Sequence, residues 1–197
     1  MTGGRGADMQ ESVARVARAN GVSEEDVALL VRGHEMAMGP RLAALPDQEH
    51  PSFLHPGRTV LVLIRDAGVL DGVVLAAAAL VESRRPDLRV DEAVVRAGMP
   101  AEVADRRAAV PGRQQPDLVE ALVTADAATR TVALAEHLDH LRHLHMLPDR
   151  GDWPELFDEV ERIWGPVAER THPELARRYA LWIRTFRRRL RGASEGG

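Results

Sequence analysis

The sequence feature that most constrains the fold is the near absence of segments that could form β-strands. Only the apolar run over residues 59–64 would serve as a buried strand, and no second run could pair with it. Gly68 follows as a plausible C-terminal stop for a helix, so we assign the run to a helix. The apolar residues are mainly Ala, Leu and Val, and only seven residues are aromatic, which suits close-packed helices. The sequence therefore predicts an all-α protein.

Capping signals indicate where several helices begin. Ser23 precedes three acidic residues at positions 24–26, which the positive end of a helix dipole favours in the first turn. Asp71 and Asp126 are candidate N-caps of two later helices. We expect helices over about residues 9–19, 24–38, 58–67, 73–83, 127–147, 153–169 and 173–190.

Proline and glycine indicate where three of these helices end. We expect Gly39-Pro40 to interrupt the helix that starts at Ser23, Pro86 to follow the Ala-rich helix over 73–83, and Pro148 to end the helix that starts at Asp126. Nothing repeats at a fixed period. The chain is therefore expected to form one domain over residues 8–191, with disordered ends at 1–7 and 192–197, which are rich in glycine and small residues.

Composition excludes several kinds of chemistry. The absence of cysteine removes disulfides, thiolate metal sites and cysteine nucleophiles. All 26 basic residues are arginine, which removes Schiff-base lysines and Walker-type phosphate loops. The net charge of −4 argues against a nucleic-acid surface. No apolar run is long enough to cross a bilayer and the N-terminus lacks the apolar core of a signal peptide, so we expect a cytoplasmic protein that binds neither nucleic acid nor membrane.

Histidine is concentrated in one predicted helix. Four of the eight histidines lie between positions 137 and 145. Glu136, His140 and His143 are spaced i, i+4 and i+7 and therefore share one helix face. A carboxylate and two imidazoles on one stripe could hold a divalent metal or a phosphate. The same residues could equally be a solvated face opposite an apolar stripe, and the helix alone leaves both interpretations open.

The order of four segments resembles the HD-domain hydrolases of the RelA/SpoT type, which remove pyrophosphate from guanosine tetra- and pentaphosphate. Those enzymes carry Y-x-x-H-P, A-A-L-L-H-D-x-x-E-D, L-A-D-R-L-x-N-x-R and Y-x-P-L-A-x-R in this order. The matching segments here are Phe53-Leu54-His55-Pro56, residues 75–81, residues 134–142 and residues 164–170. The resemblance covers about residues 30–190 and implies a single compact HD-domain-like helical bundle.

The resemblance also implies one divalent metal, Mn²⁺ or Mg²⁺, held by histidine and carboxylate ligands. In this chain the adjacent His-Asp pair of the family is replaced by Glu82-Ser83, and the late Asp is replaced by Glu136. His34 is the candidate first ligand and His50 the alternative, so the expected metal site is His34, Glu82 and Glu136. If the resemblance holds, Glu136 is expected to lie within side-chain reach of Glu82. Two neighbouring carboxylates repel each other, so a proton, an arginine or a metal is expected between them.

Further positions of the family motifs imply roles in catalysis and substrate binding. Pro86 stands where the family has Glu, whereas Asp87 is retained, which leaves Glu82 and Asp87 as the candidate catalytic acids. His140 replaces the family's Asn, and Arg142 matches the family's Arg. Arginine engages phosphate in a bidentate manner. The candidate substrate-binding residues are Arg58, Arg84, Arg85, His140 and Arg142.

The other histidines have simpler interpretations. His55, before Pro56, is interpreted as a structural helix cap, and His137 and His145 as surface or packing residues. Three functions stay open. The first is a relative of guanosine polyphosphate hydrolases that has little or no activity and retains a pocket for a nucleotide or another phosphorylated small molecule. The second is an active phosphohydrolase with a rebuilt Glu/His metal site. The third is a helical scaffold for protein interactions. The sequence does not indicate an oligomeric state.

Overall fold

The protein is described by a computed structural model over residues 4–45, 47–113, 115–146 and 152–195, without the side chains of residue 145 and residues 191–195. These residues form helices and turns and no strand, and they pack into one compact body, which confirms the all-α prediction. The helices are α1 (Arg5–Ala19), α2 (Glu24–Ala44), α3 (His55–Ala67), α4 (Gly72–Leu80), α5 (Glu92–Gly98), α6 (Ala101–Ala109), α7 (Leu118–Thr124), α8 (Ala127–Arg142), α9 (Trp153–Glu159), α10 (Gly165–Thr171) and α11 (Pro173–Glu195).

The helix starts read from the sequence are confirmed by the capping contacts. The Ser23 side chain accepts a hydrogen bond from the Asp26 backbone N–H, and the Asp126 side chain accepts one from that of Thr129. Asp71 accepts from two backbone N–H groups at the start of α4. Gly68 has φ 61°, the left-handed conformation in which glycine commonly ends a helix, so the assignment of residues 59–64 to a helix is also confirmed.

Two predicted helix ends are wrong. Helix α2 continues through Pro40 to Ala44, because the buried guanidinium of Arg41 donates to the carbonyl oxygens of Ala37 and Ser52 and thereby holds the turn that follows the proline. Helix α4 ends at Leu80, and the 3₁₀ turn Val81–Arg84 replaces its last expected turn. Arg107 stabilises that turn by donating to the carbonyl oxygens of Leu80 and Ser83.

The chain ends and the end of α8 also differ from expectation. Helix α1 begins at Arg5 and α11 extends to Glu195, so both include residues that were assigned to the disordered ends. Residues 1–3 and 196–197 lie outside the described residues. Helix α8 ends at Arg142 and is followed by the 3₁₀ turn Leu144–Met146, whereas Pro148, the expected stop, also lies outside the described residues.

Helix α4 forms the centre of the core. It is apolar on all sides and packs against α2, α3, α6 and α8. Gly33 of α2 permits a close approach to α4, since a Cβ at that position would lie 3.0 Å from the carbonyl oxygen of Ala76. This packing brings the C-terminal half of α2, the start of α3, the turn after α4 and the middle of α8 together at one buried location.

His137 of α8 contacts aromatic side chains of two other segments, namely Trp164, which lies between α9 and α10, and Tyr179 of α11. The His137 ring stacks on Trp164 with the ring centroids 4.0 Å apart, and its Nδ1 lies 3.0 Å from the Tyr179 hydroxyl. That hydroxyl donates in turn to the carbonyl oxygen of Leu134. His137 is therefore a packing residue, as the sequence indicated. None of the described helices is both long and apolar enough to span a membrane.

Candidate functional site

His55 lies at the centre of a buried cluster of ionisable side chains. It is the first residue of α3, and its side chain is 2% exposed. Its Nδ1 lies 2.7 Å from Oδ2 of Asp139, and its Nε2 lies 3.7 Å from Oε1 of Glu136. The cap position of α3 belongs to Leu54, and no side chain caps it. His55 therefore points into the protein and does not act as the helix cap that the sequence suggested.

Helix α8 supplies three further residues of the cluster. Glu136, Asp139 and His140 share one face because they are spaced i, i+3 and i+4. His140 Nε2 lies 2.9 Å from Oε1 of Glu136, and the His140 ring stacks on His55 with the centroids 4.1 Å apart. Of the predicted stripe, Glu136 is buried, whereas His140 and His143 are half-buried, and the third member, His143, contacts Asp139.

His55, Glu136 and His140 together form a set of ligands suited to a divalent metal. Each offers one ligand atom, and these atoms all lie within 4.8 Å of one another. Two imidazoles and a carboxylate form a ligand set typical of transition metals, including Mn²⁺. The contact of His55 Nδ1 with Asp139 leaves Nε2 directed towards the cluster, as histidine ligands of metals commonly require. The residue types present therefore fit such an ion.

Glu82 reaches the edge of this set but is neutralised by arginine. Its Oε2 lies 2.5 Å from Nη2 of Arg41, and its Oε1 lies 2.7 Å from Nη1 of Arg85. Its Oε1 is also 3.7 Å from Nε2 of His140, which stands between Glu82 and Glu136. The imidazole of His140 thus stands between the two carboxylates, whereas the resemblance implies a proton, an arginine or a metal there, and of these two carboxylates the two arginines pair with Glu82 alone.

Asp139 is neutralised in a similar way. Arg58 donates to both of its oxygens at 3.0–3.1 Å and also to the carbonyl oxygen of Pro51. Asp139 therefore bridges the His55 imidazole and the Arg58 guanidinium, with a side chain that is 2% exposed. A buried carboxylate between two cationic groups holds the His55 ring in a fixed orientation.

The charges of the cluster shift the pKa of both imidazoles. Burial alone would lower the pKa of His55, but the Glu82 charge and the contacts with Asp139 and Glu136 outweigh it and raise that pKa to about 9. The pKa of His140 moves in the opposite direction, because burial and the positive charge of His55 outweigh its contact with Glu136. Near pH 7 His55 is therefore an imidazolium, whereas His140 is neutral.

The carboxylates of the cluster stay ionised although they are buried. Burial opposes ionisation, but His55 and Arg41 lower the pKa of Glu82 to about 2, and His55 and Arg58 do the same for Asp139. The pKa of Glu136 is also lowered well below its usual value, chiefly by His140. The cluster thus holds three negative charges, which three guanidiniums and one imidazolium oppose.

His34 lies outside the group of three potential ligands. It is 1% exposed, and neither ring nitrogen has a hydrogen-bond partner. Burial and the Arg41 charge lower its pKa to about 4, so the ring is neutral. It packs beside Gly57, where a Cβ would lie 3.2 Å from its Nε2. Of the three expected ligands, only Glu136 belongs to the group with His55 and His140. Glu82 lies at the edge of that group, 3.7 Å from His140.

The remaining predicted residues occupy separate places. Asp87 pairs with Arg85 and is 53% exposed, so it lies at the surface. Arg84 donates to the carbonyl oxygens of Val81 and Ala108. Arg142 pairs with Asp66 of α3. Arg58 and Arg85 border the cluster, although both already pair with its carboxylates.

Sequence reasoning did not single out Arg41, Asp139 or His55 as members of the cluster. Asp139 had a usable signal, since it lies one helical turn after Glu136 on a helix that is otherwise rich in apolar residues. Arg41 had no such signal in the sequence, because the preceding Pro40 was expected to interrupt the helix.

No protein-family model matches the chain, and no curated protein matches it.

Proposed function

We propose that this protein is a RelA/SpoT-like HD-fold protein with an eroded metal site and little or no hydrolase activity on guanosine polyphosphates. The observation that carries the proposal is the pairing of Glu82 with two guanidiniums. Glu82 stands at the first position of the family's His-Asp pair, and Arg41 and Arg85 occupy both of its oxygens. A carboxylate used in this way is a poor metal ligand, because metal binding would require at least one guanidinium to leave.

The second position of the pair offers no replacement ligand. Ser83 is 0% exposed, and its hydroxyl donates to the carbonyl oxygen of Leu80. Arg107 donates to the same hydroxyl. Within the part of the chain that the structure describes, the ligands that remain for a metal are therefore His55, Glu136 and His140, without the second carboxylate that the family's chemistry uses.

Release of pyrophosphate from guanosine tetraphosphate tests this proposal. We expect none above the buffer rate, with either Mn²⁺ or Mg²⁺ present, when the reaction is followed by anion-exchange chromatography. An active enzyme of the family, assayed in parallel, verifies the conditions. Turnover by the unmodified protein that is lost in Glu136→Gln and kept in the exposed control Glu120→Gln would overturn the proposal.

A second candidate is an active metal-dependent phosphohydrolase with a rebuilt site. It is favoured by the 4.8 Å grouping of His55, Glu136 and His140. A metal bound there would polarise a phosphate and lower the pKa of a water molecule. Mn²⁺ binding followed by calorimetry separates the two candidates, because an active enzyme requires binding that His140→Asn and Glu136→Gln both weaken. Indifference to metals and nucleotides alike would favour a helical scaffold.

A further inference from the structure

A groove beside α3 is lined by arginines and by apolar side chains. It lies between α3, the C-terminal end of α8 and α11, and has a volume of about 760 Å³. Volumes of this order are typical of sites for small molecules. The lining residues include five arginines, at positions 58, 65, 142, 178 and 189.

The groove carries an excess of positive charge. Its acidic lining residues are Asp66 and Asp139, so the five arginines leave a formal excess of three positive charges. Glu174, which contacts Arg178 from outside the groove, lowers this excess to two. Such an excess matches a phosphate monoester, which carries between one and two negative charges at pH 7.

Asp66 positions two of the arginines at one edge. Its Oδ2 accepts from Nη2 of Arg142 at 2.8 Å, and its Oδ1 accepts from Nη2 of Arg178 at 2.9 Å. The Asp66 side chain is 11% exposed, whereas those of Arg142 and Arg178 are 34% and 35% exposed. Arg65 lies one residue before Asp66 and is exposed. The edge therefore combines two oriented guanidiniums with a third that extends into solvent.

Part of the groove is apolar. Leu61, Leu181 and Trp182 line it, together with Leu144 and Phe186. Leu181 is 45% exposed, so part of this apolar surface faces solvent. Trp182 donates its indole N–H to the carbonyl oxygen of Leu141, which satisfies its polar atom within the protein. An apolar surface next to an arginine edge is complementary to a molecule with an apolar body and an anionic head.

We propose that this groove binds a small phosphate monoester with an apolar body, its phosphate held by Arg65, Arg142 and Arg178 and its body lying on Leu181 and the aromatic residues of α11. The groove borders the His55 cluster, since Arg58 and Asp139 line it, but the arginines proposed to hold the phosphate do not contact His55, Glu136 or His140 through any hydrogen bond or ion pair described above. It does not require hydrolysis, so activity on guanosine polyphosphates and ligand binding in the groove can fail independently.

Octyl phosphate is a suitable probe below its micelle concentration, with binding followed by tryptophan fluorescence and calorimetry. We expect saturable binding by the unmodified protein, and Arg65→Glu should weaken it at least tenfold. Arg184→Glu makes the same charge change on an exposed residue of α11 that does not line the groove, and it should leave the affinity within twofold. Equal weakening in both variants would show general charge attraction and overturn the proposal.

Two further probes separate the phosphate from the apolar body. Octyltrimethylammonium keeps the body and reverses the charge, so it should not compete. Inorganic phosphate keeps the charge without the body, and it should bind at least tenfold more weakly than octyl phosphate. Leu181→Glu places a carboxylate on the apolar surface and should abolish binding. Competition by the cation, equal affinity for inorganic phosphate, or unchanged binding in Leu181→Glu would each overturn the proposal.

Discussion

Arg41 and Glu82 form an ion pair that is almost completely excluded from solvent, with Nη2 2.5 Å from Oε2 and side chains that are 0% and 2% exposed. The pair joins α2 to the turn after α4. Arg41 is further held by the carbonyl oxygens of Ala37 and Ser52. A buried pair of this kind holds the elements that carry the His55 cluster in place.

Replacing Arg41 by methionine should destabilise the protein strongly. It leaves the buried Glu82 carboxylate with Arg85 as its remaining arginine partner, and removing one partner of a buried pair typically costs about 3–5 kcal/mol. Urea unfolding monitored by circular dichroism measures the loss. The double variant Arg41→Met with Glu82→Gln should recover part of it, because no unpaired charge then remains. Arg18→Met removes an exposed pair with Glu24 and should change the free energy of unfolding little. A loss no larger than that of the control would contradict the prediction.

Stability should fall as the pH rises from 7 to 9. The pKa of His55 is about 9 in the folded protein and about 6.5 in an unfolded chain. Below pH 6.5 both states are protonated and the stabilisation is complete; above it the unfolded state loses its proton first, so the stabilisation is lost as the pH approaches 9. We expect a loss of about 1–3 kcal/mol in the presence of a chelator. His55→Gln should flatten this slope and His50→Gln should keep it. An equal slope in the His55 variant would exclude His55 as its source.

Restoring the family's His-Asp pair, by Glu82→His with Ser83→Asp, should not create a metal site. The new histidine would face the buried guanidinium of Arg41, and the new aspartate would meet Arg107 and the carbonyl oxygen of Leu80. We expect a lower melting temperature and no gain in Mn²⁺ affinity by calorimetry. Tighter Mn²⁺ binding in the double variant would show that both side chains can turn towards His55.

Replacing each of two glycines of α2 by alanine should change the free energy of unfolding in opposite directions. A Cβ at Gly33 would lie 3.0 Å from the carbonyl oxygen of Ala76, which belongs to the backbone and yields little, so we expect a loss of about 1–3 kcal/mol. A Cβ at Gly39 meets nothing within 4 Å, and alanine there should stabilise the helix by about 0.5–1 kcal/mol. Urea unfolding of both variants tests the pair, and a Gly33 variant as stable as the Gly39 variant would contradict it.

The fold could be predicted from local signals because most of them agree with one another. Ser23, Asp71, Asp126 and Gly68 each formed the cap that their residue type favours. The prediction failed where tertiary contacts override a local preference. The side chain of Arg41, anchored in the core, keeps α2 helical beyond Pro40, and Arg107 stabilises the 3₁₀ turn after Leu80.

The cluster was less predictable because it depends on contacts between distant segments. The spacing of Glu136 and His140 placed them on one face, and both lie in the cluster. The sequence could not show that His55 meets them, since the two segments are more than eighty residues apart. Nor could it show that Arg41 would neutralise Glu82, because ion pairing between helices leaves no periodic pattern.

The contact of Tyr179 with His137 determines where a proton lies in the core. A phenol has one hydroxyl hydrogen, and Tyr179 donates it to the carbonyl oxygen of Leu134. Its oxygen can therefore only accept from His137, so the hydrogen of the neutral imidazole lies on Nδ1. The imidazole of His137 thus donates to the phenol oxygen of Tyr179, and the phenol donates to the backbone carbonyl oxygen of Leu134. Helix α11 thus selects one of the two tautomers of a histidine on α8.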